Sequence, residues 1–171
     1  MYFYFNWLFL FNSYDFFSGL IFLYIDMRDL LLQALEIAKN GDVKTPKNCA
    51  VVYSVSFMPN DDNKIQALDY VKNNPKAMML DSTPCGKALI ELGLDGKVND
   101  VGEEITNIWK IASSRYIKEA SGNIMAFVNG ADERSTFCQV ELDEIINNPN
   151  ILCINNIEKK QFVLQFKKYR Y

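Results

Sequence analysis

From Asp26 onward, short apolar runs rich in β-branched residues alternate with stretches whose apolar positions recur at helical spacing. That alternation restricts the chain to an α/β arrangement with a small, partly parallel sheet flanked by helices, since each strand reaches the next through a helix packed on the sheet. Leu30, Leu31, Ala34, Leu35 and Ala38 form one helical face, ended by Asn40-Gly41, and give the domain a helical N-terminal part. Cys49–Val55 (CAVVYSV) reads as a buried strand. Asn60, Asp61 and Asp62 offer capping and first-turn acids to a helix reaching about Lys72, closed by Asn73-Asn74-Pro75. Ala77–Leu80 leads into Asp81-Ser82-Thr83-Pro84, a capping hydroxyl before a proline at the first helical position.

Asn99–Gly102 reads as a polar hinge. The strongest helix then runs from Glu103 to about Ala120, with Ile105, Ile108, Trp109, Ala112 and Tyr116 on one side. Ser121-Gly122-Asn123 stops it. Beyond it the pattern predicts strands over Ile124–Val128, Thr136–Val140, Ile151–Asn155 and Phe162–Phe166, with a turn at Asn129-Gly130 and a short helix over Leu142–Asn147.

Residues 1–26 are set apart from this domain, which spans 27–171. They are dominated by aromatics and leucine, with no positive n-region or small-residue cleavage site before Met27, a plausible alternative start. Asn6, Asn12, Ser13 and Asp15 interrupt the run, and a charge near a bilayer centre costs roughly 2.5–3.5 kcal/mol. A poor membrane anchor, a translocation segment and a wrongly started frame stay open, so membrane contact is expected, if anywhere, through this segment.

Composition then narrows the chemistry. The chain has no histidine, which removes Ser-His-Asp and Cys-His catalysis, the common zinc sites and any histidine base. Carboxylates, hydroxyls and positioning are what remain for a hydrolase. A net charge of −3 gives no field to gather nucleic acid, and the lysines bunch only near the end. Cys49, Cys85, Cys138 and Cys153 form no CxxC pair, and three of them sit in or beside apolar runs as buried thiols would. No metal is expected.

Two places could carry chemistry. Trp109 and Ser113, one helical turn apart, share a face, where an indole can stack on a flat heterocycle beside a hydroxyl donor. An aromatic on that face also serves as ordinary core. Read as a strand, Ser135–Glu141 puts Phe137, Gln139 and Glu141 on one face, with Glu141 at the carboxyl end where α/β crevices form. An ionised glutamate there can hold ribose hydroxyls and stabilise an oxocarbenium-like state. It can equally be an acid favouring the start of the next helix.

The segment IWKIASSRYIKEASGNIMAFVNG, followed by STFCQVEL, resembles the corresponding stretch of the ADP-ribosyl cyclase/NAD glycohydrolase family and the related NADase domains of bacterial contact-dependent toxins. The family pattern, Trp-x-x-x-Ser-x-Arg-aromatic and then Ser-Thr-Phe-x-x-Val-Glu, is met by Trp109, Ser113, Arg115 and Tyr116, then by Ser135, Thr136, Phe137, Val140 and Glu141. The resemblance implies that Glu141 engages the nicotinamide ribose and that Trp109 walls the nicotinamide pocket with Ser113 nearby. It also implies that Thr136 and Phe137 line the phosphate and ribose side.

Upstream, Tyr53-Ser54 resembles the family's Trp-Ser pair, with Val55 where an arginine often follows. Leu80-Asp81-Ser82-Thr83 resembles Leu-Glu-Asp-Thr, so Asp81 is expected to contact the nicotinamide amide, and its shortening favours hydrolysis over cyclisation. Thr83-Pro84-Cys85-Gly86-Lys87 resembles a bacterial Thr-Pro-Gly-Gly-Lys segment. It reads either as a pyrophosphate cradle with Lys87 adding charge, or as a capped helix only.

The implied activity is hydrolysis of NAD or NADP as substrate, to nicotinamide and an ADP-ribose product, without a cofactor. The implied setting is a toxin or effector delivered into a target-cell cytoplasm, with a cognate immunity protein as partner. An ADP-ribosyltransferase and a non-catalytic NAD-binding protein of the same fold are the alternatives.

Overall fold

The computed structural model describes residues 27–55, 62–94 and 102–168. The readings made for residues 1–26, for the Asn60-Asp61 caps and for most of the Asn99–Gly102 hinge lie outside the described residues. Helix α1 covers residues 27–40. It is followed by β1 (Ala50–Tyr53), α2 (Asn63–Asn73), β2 (Met78–Met79), a 3₁₀ turn (Leu80–Ser82) and α3 (Pro84–Glu91). Then come α4 (Glu103–Glu119), β3 (Gly122–Phe127), a π-turn (Phe137–Glu141), α5 (Leu142–Asn147), β4 (Ile151–Ile154), β5 (Ile157–Glu158) and α6 (Lys159–Lys168).

The five strands form one sheet in the order β2-β1-β3-β4-β5. The first three pairings are parallel and the last is antiparallel. The chain steps from β1 outward to β2 and then returns past β1 to β3, so its winding direction reverses between β1 and β3. Right-handed crossovers then place helices on opposite faces for the two directions. Accordingly, Ala67, Tyr70 and Val71 of α2 pack on Val51, Met79, Met125 and Phe127. Ala50, Val52, Ile124 and Ala126, which point to the other face, meet α1, α3, α4 and α5.

Helix α4 is the central beam of that second layer and buries Ile108, Ala112, Ser113, Tyr116 and Ile117. Truncating a buried isoleucine such as Ile117 to alanine costs about 2–5 kcal/mol. The Tyr116 hydroxyl accepts from Val51 N–H at 2.8 Å and faces the Met78 carbonyl at 2.7 Å and the Val51 carbonyl at 3.1 Å. It therefore stitches β1 to β2, and its burial pushes the phenol far above its ordinary range. Arg115 caps the end of α1 through the Ala38 carbonyl at 2.8 Å. The helix ends at Glu119, and the chain turns into β3 at Gly122, whose φ of +80° and close approach to the Asn48 side chain leave no room for a Cβ.

Two predicted strands are helical. Over Ser135–Glu141, Ser135 Oγ accepts from Cys138 N–H at 3.3 Å and the Ser135 carbonyl accepts from Gln139 N–H at 3.0 Å, so a capped helical segment begins here. Phe137 and Glu141 are buried and Gln139 is exposed, as a four-residue repeat requires and a two-residue repeat forbids. Phe162–Phe166 belongs to α6, where the two rings stack at 6.2 Å and Leu164 is 71% exposed. The antiparallel edge is instead the short β5, which the sequence reading did not anticipate. No helix of the described residues is long and apolar enough to cross a membrane.

Candidate functional site

In a doubly wound sheet the loops diverge where the strand order reverses, leaving a crevice outside the strands' carboxyl ends. A cleft of about 440 Å³ lies there, between the ends of β1 and β3. Tyr53, Ser54 and Val55 line it from the end of β1, and Asp81 from the turn after β2. Ile105, Trp109 and Ser113 line it from α4, while Ser135, Thr136, Phe137 and Glu141 line it from the segment after β3.

Glu141 is only 7% exposed. Burial, reinforced by the Asp81 charge, raises its carboxyl from the ordinary 4.5 to about 7, and a hydrogen bond from the Ser113 side chain restrains the rise. Its Oε2 is buried without a hydrogen-bond partner among the described residues. A half-satisfied buried carboxyl costs stability, which makes Glu141 the candidate reacting acid of the cleft. The π-turn delivers it: Leu142 N–H reaches back to the Phe137 carbonyl, one residue farther than an α-helix allows. Such single-turn bulges recur at functional sites.

Around this acid the other groups are held in place. The Trp109 indole N–H donates to the Leu94 carbonyl at 2.7 Å, leaving the half-buried ring as a wall of the cleft. The Tyr53 hydroxyl lies 3.4 Å from Asp81 Oδ2, and Lys64 Nζ lies 5.6 Å from the Tyr53 ring centroid. Ser54 is buried, with its hydroxyl donating to the Val55 carbonyl at 2.9 Å. Thr136 lines the cleft half-buried, whereas the Phe137 ring belongs mainly to the core, edge-on to Phe166 at 5.5 Å.

Lys87 is exposed and is not part of the cleft lining. The entry to α3 is a capped helix with its amides in use. Gly86 N–H donates to Thr83 Oγ1 at 3.1 Å, Lys87 N–H to the Thr83 carbonyl at 2.9 Å and Cys85 N–H to the Asp42 carbonyl at 2.9 Å. Gly86 is needed there because a Cβ would collide with the Leu80 carbonyl. Those amides are therefore engaged within the protein, as the capped-helix reading of this segment expects.

Two cations that the sequence reading missed do line the cleft, Lys64 at the start of α2 and Arg134 after β3. Arg134 Nε lies 3.3 Å from Asp132 Oδ1. The signal that could have found Lys64 is its place in the first turn of a helix leaving β1, where a doubly wound fold puts ligand contacts. Among the described residues no group of three Cys, Asp or Glu side chains could hold a metal ion.

No family model matches the chain, and no curated protein matches it in sequence. Solved structures of similar shape exist. One is the Aplysia cyclase complexed with substrate NGD and product cGDPR, at a TM-score of 0.47 and 19% identity over 64% of this chain. Another is an ADP-ribosyl cyclase complexed with N1-cIDPR, at 0.47 and 18% over the same share. A third is porcine CD38 with a covalent intermediate, ribo-F-ribose-5'-phosphate, at 0.48 and 15% over 75%. The match covers 48% of each cyclase chain and 72% of the porcine chain, so this chain spans about half the length of the cyclases.

Proposed function

We propose that the protein cleaves the nicotinamide N-glycosidic bond of NAD or NADP, releasing nicotinamide and an ADP-ribose product to water. The observation that carries this reading is the buried Glu141 with one unpartnered oxygen, set beside Ser113 and the Trp109 wall in a cleft at the sheet's switch point. The sequence resemblance around Trp109–Tyr116 and Ser135–Glu141 gives the site its substrate.

In this reading the pyridinium ring lies against Trp109, with its amide toward Asp81 and Tyr53. Glu141 Oε2 accepts from the ribose hydroxyls. The substrate's positive charge draws the Glu141 proton off on binding, since a nearby cation favours the carboxylate. As the C–N bond breaks, its electron pair leaves with nicotinamide and the positive charge moves onto the ribose. The fixed carboxylate then stabilises that charge without reorganising. Water captures the ribosyl cation and its proton passes to solvent. Lys64 and Arg134 face the diphosphate in the role first expected of Lys87. The setting of a delivered toxin or effector, neutralised by an immunity protein, is part of the proposal and rests on the sequence resemblance alone.

Resolving the products after incubation with NAD and with NADP tests the reading. Nicotinamide with ADP-ribose or its 2'-phosphate supports it. A cyclic product would move the chain to cyclase chemistry, and unaltered dinucleotide would leave a binding protein or a transferase lacking its acceptor.

A further inference from the structure

The contact between Ser113 and Glu141 has a neighbour on the same seam between α4 and α5. Ser114, the next residue of α4, donates its hydroxyl to Glu144 Oε1 at 2.6 Å. Lys118, one turn farther along, places its Nζ 3.0 Å from the same oxygen. Past the end of α5, the Asn148 amide donates to the carbonyls of Ile117 at 2.7 Å and Ala120 at 3.0 Å, tying the two helix ends together.

The segment ahead of this seam is the π-turn, whose wider ring is less favourable than the α-helical one. Left to itself it would tighten to α geometry, and every side chain beyond it would turn relative to α4 by about 100° per residue gained or lost. Glu141 is the last residue of the π-turn, so its direction depends on where α5 is anchored. On the N-terminal side Ser135 Oγ donates to the Asp132 carbonyl at 2.6 Å. On the C-terminal side, beyond the buried Leu142, the first polar side-chain anchor after Glu141 is Glu144.

We propose that the Ser114–Glu144 pair is a positioning device that holds α5 in register on α4, so that the π-turn presents Glu141 to Ser113 at the floor of the cleft. This rests on the reading of Glu141 as the reacting carboxylate. The Ser114 hydroxyl is the principal partner, because a short bond to a carboxylate is strong while an exposed ion pair contributes little, and Lys118 is 60% exposed. The Ser114 bond, followed by Lys118, holds the Glu144 carboxyl below its ordinary range, which keeps the acceptor charged.

The groups facing Glu141 make the device measurable. Asp81 acts on its charge, Ser113 bonds to it, the Tyr116 phenol feels that charge in turn, and Tyr53, Lys64, Asp132 and Arg134 line the same cleft. Of these, Ser113 is the group shown restraining the rise in the acid's proton affinity. If the register slips, that restraint is lost and the proton is held more tightly.

The test is a titration of the Glu141 side-chain carboxyl by carbon NMR in the full-length protein and in Ser114→Ala, Glu144→Ala and Glu144→Gln. The native midpoint should lie at about 7. Ser114→Ala and Glu144→Ala should each raise it by about one pH unit. Glu144→Gln, whose neutral amide oxygen still accepts from Ser114 but more weakly, should fall between the native and the alanine values. In NAD cleavage the acid limb of the kcat/KM profile, which reports the free protein, should move by the same amount, with little change in KM on the plateau above it. An unchanged Glu141 midpoint in either alanine variant would overturn the proposal. A native protein that leaves NAD intact while the midpoints shift as stated would refute the NAD reading and uphold the positioning role.

Discussion

Replacing Glu141 by glutamine should shift stability in the variant's favour as the pH rises from 4.5 to 8. In the folded chain burial and the Asp81 charge raise this carboxyl from the ordinary 4.5 to about 7. The unfolded chain releases the same proton near 4.5. Between those values the folded state binds more protons than the unfolded one, so stability falls as the pH rises through the window. Above about pH 7 the whole difference has been lost. At about 1.4 kcal/mol per pH unit, the interval from 4.5 to about 7 corresponds to about 3 kcal/mol. Glutamine keeps the shape and an acceptor for Ser113 but does not titrate. Any constant cost of its amide cancels when two pH values are compared. Urea unfolding of native protein and Glu141→Gln at pH 4.5, 6 and 8 measures the effect. The stability gap should shift in favour of the variant by about 3 kcal/mol from the lowest pH to the highest. A gap that is the same at all three would show that Glu141 is not held protonated by its surroundings, and the reasoning about the site would fail with it.

Tyr116→Phe leaves Val51 N–H and the Met78 carbonyl without their partner. At about 1–3 kcal/mol for each orphaned group, urea unfolding should show a loss of about 2–6 kcal/mol. Lys87→Gln should leave KM for NAD unchanged, whereas Lys64→Gln and Arg134→Gln should each raise it severalfold, as initial-rate kinetics would show. Gln139→Ala should change stability by less than about 0.5 kcal/mol and Phe137→Ala should lower it by about 3–5 kcal/mol, since only the latter side chain is buried. Comparable losses at both positions would restore the strand.

The order of elements was legible wherever a cap or a break coincided with a change of period. Thr83 before Pro84 does cap α3, through its hydroxyl, and α4 does end just before Ser121-Gly122-Asn123, where the backbone needs a glycine at a φ of +80°. The two misread strands share one cause. Phe137 and Glu141, like Phe162 and Phe166, are four residues apart, and two strand repeats bring a side chain back to the same face just as about one helical turn does. Only the residue midway discriminates. Gln139 is polar and exposed, which argues for a helix. Leu164 is apolar and exposed, against its chemistry, so sequence alone favours the strand.

Within the site, the grouping of Trp109, Ser113 and Glu141 could be read from spacing and motif. The strand reading put Glu141 at the carboxyl end of the sheet for the wrong local reason. The π-turn that does so leaves no mark in the residue pattern. Lys64 and Arg134 escaped because their relation to the cleft is set by the sheet's winding, between segments distant in sequence. Lys87 attracted notice through a local motif whose glycine serves packing on the Leu80 carbonyl.

Nicotinamide release from NAD by native protein and by Glu141→Gln, both shown folded by their unfolding transitions, is the most direct test of the central claim. Catalysis by Glu141 requires steady release by the native protein and a loss of about two orders of magnitude or more in the variant, as for removal of one preorganised charge from a reaction centre. Equal release by the two proteins, or none from the native one, would contradict it.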